Sequence, residues 1–280
     1  MKIGMFTSML PQIARYKGMT RLEAIKYLYG LGVRTGEAAM GEFGENYVNA
    51  KTYCDELKEG GITLEAAHEL ISLTDKDVDN SDRVKRALDK AADLGCKYFL
   101  IVPGYASSVE EKKAAADRII ERLIPLSEFA RDRGMKLTME NFSQELTPYS
   151  TPEELIYILD NVPLLGYTYD TGNFSYRSLD AMEAFGKLKK YLAFVHAKDL
   201  GERLSRENGA PEAYWDGKKI HFYSAHIGGG SVGFDSILDA LKKEGYEGSL
   251  IIEQSASKGP DDHTNIMEGS VKWLNERGIY

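Results

Sequence analysis

Four stretches of this 280-residue chain run through a short apolar segment and reach a side chain able to bind a cation. KLTMENF passes through Glu140, LGYTYD ends on Asp170, LAFVH on His196 and SLIIE on Glu253. A carboxylate facing a core would be costly to bury. At the rim of a parallel sheet, where strand ends open toward a ligand, the same group is in place. Glu, Asp, His and Glu form a hard-to-borderline donor set in which oxygen predominates. One divalent ion is expected, Mn²⁺ ahead of Mg²⁺, Co²⁺ or Zn²⁺. Singly, each residue has a plainer reading: a carboxylate after a strand often caps a helix or pairs with a cation, and a histidine there is commonly structural. Together, neighbouring strand ends would crowd three carboxylates, whose repulsion opposes ionisation unless a cation neutralises them. The expected metal set is Glu140, Asp170, His196 and Glu253.

What positions these residues is a beat of strand and helix. Strands are expected at 3–6, 33–39, 62–67, 97–102, 137–140, 166–170, 192–196 and 249–253. Helices follow them, one capped by Thr20, then 45–59, 79–94, 109–133, one opened by Thr151 and Pro152, 178–190, 234–244 and 265–277. Eight alternations predict a (β/α)8 barrel that takes 1–280 as one domain. In such a barrel the active site lies at the carboxyl ends of the strands, and strands five to eight adjoin around the rim. Residues 200–230 interrupt the beat as a long insertion after strand 7, polar and rich in Gly, with Tyr214, Trp215, His221 and His226.

The composition, 43% hydrophobic and 28% charged, is that of an ordinary soluble protein. A net charge of −8 argues against broad electrostatic binding to nucleic acid. Two cysteines in no metal-ligand spacing, Cys54 and Cys96, suit a reducing cytoplasm. The opening MKIGMFTSML has too short an apolar stretch for a signal peptide, and no run is long enough to cross a membrane. A cytoplasmic enzyme is expected, with self-association into a homo-oligomer left open.

MENF, YDTGNF, VHAKD and IIEQ, with HIGGGSVGFDSILDALKKEGYEGSLIIE before the last strand, resemble the xylose isomerase-like superfamily of barrels. That group includes sugar-phosphate isomerase/epimerase-like proteins, ketose 3-epimerases, hydroxypyruvate isomerases, inosose dehydratases and endonuclease IV. The resemblance implies one divalent ion on Glu140, Asp170, His196 and Glu253. It implies a small sugar or polyol substrate whose carbonyl and neighbouring hydroxyl are chelated, lowering the cost of an enediolate. It also implies that Glu140 and Glu253 exchange protons from opposite faces, the alternative being that both are ligands only. His68 resembles a histidine that relatives place near substrate, with a core or capping histidine as the alternative. Glu37 is a candidate acceptor for a sugar hydroxyl or a partner for a neighbouring cation. Asp199 is a candidate to orient a ligand or substrate hydroxyl, or a solvated loop charge. Tyr214 and Trp215 would cover a sugar face or pack the insertion onto the barrel. Endonuclease IV relatives hold extra zinc through histidines absent at Asn173 and before Pro103-Gly104, which speaks against DNA repair. The expectation is a metal-dependent isomerase or epimerase of a sugar or keto-polyol, ahead of a lyase or dehydratase, or a sugar-binding subunit without turnover.

Overall fold

In a computed structural model of the chain, the first seven strands follow one another around a closed parallel barrel. They are β1 (Lys2–Phe6), β2 (Val33–Ala39), β3 (Thr63–Leu70), β4 (Tyr98–Val102), β5 (Lys136–Glu140), β6 (Gly166–Asp170) and β7 (Leu192–Ala197). Three strands then form a separate antiparallel sheet, β8 (Asp199–Arg203), β9 (Glu212–Trp215) and β10 (Lys218–Ala225), in the order β8-β10-β9. The last strand, β11 (Ser249–Ile252), pairs with β7 on one side and β1 on the other and closes the barrel. The structure describes residues 1–203, 212–215, 218–254 and 260–280, with side chains for 1–201, 222–254 and 263–280.

Helices α1 (Leu10–Lys17), α2 (Arg21–Leu31), α3 (Ala50–Glu59), α4 (Ser81–Asp93), α5 (Lys112–Asp132), α6 (Pro152–Asn161), α7 (Ala181–Leu188), α8 (Phe234–Lys243) and α9 (Pro260–Asn275) accompany the strands. Two of them start on reciprocal caps, Thr20 with Glu23 and Thr151 with Glu154. On α4, Val84, Ala87, Leu88 and Ala91 fall on one buried face at helical spacing.

Alternate strand residues go to opposite sides of the barrel wall. Ile3, Phe99, Met139, Tyr167, Val195 and Leu250 join the helices in the main core. Their inward neighbours Ala66, Phe194 and Ile251 form a second cluster with Phe6 and Tyr98, and Tyr98 stacks on Phe194 at 4.6 Å. Gly4 makes room for this plug, because a Cβ there would lie 2.4 Å from Ile251 Cδ1. The barrel is therefore filled through its middle, below the residues that end its strands.

The structure departs from the sequence expectation in a few places. Helix α1 was not foreseen, although a proline in its first turn and Gly18 at φ 64° closing it are recognisable signals. The helix expected over 45–59 begins only at Ala50, because Asn46 and Tyr47 take left-handed φ of 51° and 60°. Strand β3 continues through His68 to Leu70, and the expected irregular insertion carries the antiparallel sheet. Among the described residues, no helix is long and apolar enough to cross a membrane.

Candidate metal centre

Positions two apart on a strand share a face, so β7 presents Phe194 and His196 inward as one column, with Lys198 next in line just past its end. Phe194 plugs the barrel, and His196 stands immediately above it. Glu140 and Asp170 are the last residues of β5 and β6. Glu253 follows β11, and its N–H donates to the Ala197 carbonyl at 3.0 Å, so it stays in register with the wall. One potential ligand atom from each of Glu140, Asp170, His196 and Glu253 lies within 4.8 Å of all the others.

The histidine is oriented at both nitrogens. Nδ1 faces the carboxylates, 3.0 Å from Glu140 Oε2 and 3.3 Å from Glu253 Oε2. Nε2 faces away, 2.8 Å from Glu37 Oε2. Glu253 Oε2 is buried and, among the described residues, completes no hydrogen bond. A buried carboxylate oxygen that completes no hydrogen bond among the described residues, beside two more carboxylates and an imidazole nitrogen, suits a divalent ion bound by these four residues.

Charges here are set by burial and by one another. Burial opposes ionisation of Glu37, yet the His196 and His68 imidazoles hold its carboxyl down at about 2. His196 rises well above the usual imidazole range, since Glu37, Glu140 and Glu253 outweigh its own burial. Burial pushes Asp170 up to about 7, with Lys198 pulling the other way and Glu253 adding to the rise. Burial would also raise Glu253, but the Lys198 ammonium and His196 bring it below the ordinary carboxylate range.

The residues expected around substrate take different places. Glu37 is fully buried between two histidines, its Oε1 lying 2.8 Å from His68 Nδ1. His68 keeps a quarter of its side chain exposed at the edge of the site, and Phe6 packs against both imidazoles with ring centres 5.0 Å apart. Asp199 turns away from the cluster. Its Oδ1 accepts from the Leu200 and Val232 N–H groups, and its Oδ2 from those of Gly228 and Gly230. The side chains of Tyr214, Trp215 and His221 lie outside the described residues. His226 packs beside Gly269, away from the cluster on the α9 side.

Two contributors have no role at the site in the sequence reading. Lys198 Nζ sits 2.8 Å from Asp170 Oδ2 and 2.5 Å from Glu253 Oε1, and Asn173 Oδ1 accepts from it at 3.0 Å. The signal was available in VHAKD, where the lysine stands two residues after the histidine and so on its face.

The Glu37 contact gives a direct expectation. A carboxylate on the far nitrogen of a metal-binding histidine fixes its tautomer and ring plane. Glu37→Gln should therefore weaken Mn²⁺ binding by roughly 10–100-fold, read by calorimetric titration. Unchanged affinity in a folded variant would show that His196 needs no such support.

Known proteins resemble this chain along most of its length. A family profile described as xylose isomerase-like TIM barrel matches residues 20–277. The chain is 26% identical to a probable endonuclease 4 of Mycoplasmoides gallisepticum, over 76% of this chain and 65% of that protein. It is 25% identical to a ketose 3-epimerase of Arthrobacter globiformis, over 75% of this chain and 69% of that protein. The first curated relatives are thus matched over just under two thirds of their length, 63% and 65%. A solved D-psicose 3-epimerase of Clostridium cellulolyticum, with D-tagatose, shares the fold at a TM-score of 0.72 and 16% identity, over 100% of this chain and 99% of that one.

Proposed function

The chain belongs to the xylose isomerase-like TIM barrel family, and from that premise we propose that it is a metal-dependent isomerase or epimerase of a sugar or related keto-polyol. The observation that carries this reading is the convergence of Glu140, Asp170, His196 and Glu253 within 4.8 Å at the carboxyl end of the barrel. A divalent ion held by these four would polarise a substrate carbonyl and favour loss of a proton from the adjacent carbon. The chain's own residues supply the remainder. Glu140 and Glu253 stand at the ends of β5 and β11, with β6 and β7 between them in the barrel. They therefore approach a ligand in the mouth from different sides, the arrangement needed to take a proton from one face of a carbon and return it to the other. Below the site the barrel is packed with the buried side chains of Phe194, Ile251 and Ala66. A small neutral substrate suits a chain of net charge −8 better than a polyanion such as DNA does.

Turnover of a ketose panel by Mn²⁺-loaded protein in heavy water is the test. Deuterium should appear at the carbon next to the carbonyl, in a product of otherwise unchanged composition. Treatment with a chelator should stop the reaction, and Mn²⁺ or Co²⁺ should restart it. A product that has lost water would assign a dehydratase instead. Activity indifferent to chelation would remove the metal from the mechanism.

A further inference from the structure

We propose that Lys198 is a resident counter-cation of the metal centre, one that sets the charge of the ion the site accepts. The proposal rests on the metal-binding reading above and adds a residue to it. The ammonium is built into the protein rather than draped across the site. Lys198 is 4% exposed, and its stem threads past Gly172, where a Cβ would come 2.6 Å from Lys198 Cγ. An ammonium has three hydrogens to donate. Asp170 Oδ2, Glu253 Oε1 and Asn173 Oδ1 stand around Nζ at 2.8, 2.5 and 3.0 Å and take all three. None is left for a substrate oxygen, so Lys198 is a positioning residue and acts through Asp170 and Glu253.

The charges then add simply. Glu140, Asp170 and Glu253 bring three negative charges to the ligand cluster, and Lys198 brings one positive. His196, with Nε2 turned to Glu37, offers a neutral nitrogen to the ion. Over the four ligands and Lys198 alone the balance is two negative charges, which one divalent ion cancels; the Glu37 carboxylate lies behind the imidazole, between His196 and His68. Without the lysine, the same ligands would suit a trivalent ion.

The wild-type protein and Lys198→Met are titrated with Mn²⁺ and with Tb³⁺, following heat and terbium luminescence. The wild type should prefer Mn²⁺. Removing one positive charge a few ångströms from the ion should tighten Mn²⁺ binding by roughly tenfold or more, and Tb³⁺ binding by a larger factor. Lys198→Gln, which retains an amide donor for Asn173 but no charge, should show the same order and serves if Lys198→Met does not fold. A folded variant that binds Mn²⁺ no better than wild type would overturn the proposal, because the lysine would then only prop up its neighbours. Wild-type protein that binds Tb³⁺ far more tightly than Mn²⁺ would overturn it without any variant. Wild-type protein that binds neither ion would remove the metal reading itself, and this proposal with it.

Discussion

Asp170→Asn and His196→Ala should each lose divalent metal and activity together. Each takes away one of four donors, and the two losses have different side effects. His196→Ala also takes from the fully buried Glu37 one of its two imidazole partners, leaving only His68. Leaving a buried polar group short of a hydrogen-bond partner costs about 1–3 kcal/mol, so this variant should also melt below the wild type. Asp170→Asn keeps its shape and one oxygen, but an amide is a poorer ligand, and it faces the Lys198 ammonium with one charge fewer. Losing a Lewis acid gives up several kcal/mol of transition-state stabilisation, so turnover should fall by on the order of a thousandfold or more. Elemental analysis alongside kinetics separates metal loss from misfolding. Full metal content in the Asp170→Asn, His196→Ala double variant would sink the assignment of these residues as ligands.

Glu140→Gln and Glu253→Gln test the chemistry rather than the binding. Each keeps an oxygen for the metal and removes the group that can carry a proton. A positioned acid or base contributes about 10²–10⁴-fold, and metal-loaded variants should slow by that factor with KM little changed. The two need not behave alike. Glu253 has Lys198 on one oxygen, so Glu253→Gln also takes one negative charge from beside that ammonium, whereas Glu140 faces His196. Glu253→Gln should therefore disturb metal affinity more than Glu140→Gln. If both variants, fully metallated, turned over at the parental rate, the proton carrier would lie elsewhere on the rim. His68, partly exposed beside Glu37, would be the next to replace.

The barrel was legible in the sequence because parallel strands buried on both faces leave short apolar runs such as YFLIV, and helices leave their own period between them. The four strand-end residues could be read for the same reason, since a polar group closing such a run stands out. Their surroundings could not be read. Glu37 and His68 become neighbours only when β2 pairs with β3, with Ala39 beside His68 in the register. The choice of Asp199 between a substrate and four backbone N–H groups depends on how the chain returns at Gly228, 31 residues after Ala197 and 29 after Asp199 itself. The lysine of VHAKD was visible, but its place between Asp170 and Glu253 needs β6, β7 and β11 to be side by side. Helix α1 was missed because its apolar positions Leu10, Ile13 and Ala14 span little more than one turn.

The Asp199 carboxylate has an evolutionary reading. It ties the start of the inserted sheet to the chain's return, accepting from Leu200 on one side and from Gly228, Gly230 and Val232 on the other. Both ends of the stretch between them are thereby pinned by one side chain. Doubling the length of that stretch would cost only about 0.6 kcal/mol in closure entropy. Lys198, one residue upstream of the pin, is seated separately by its own contacts to Asp170 and Glu253.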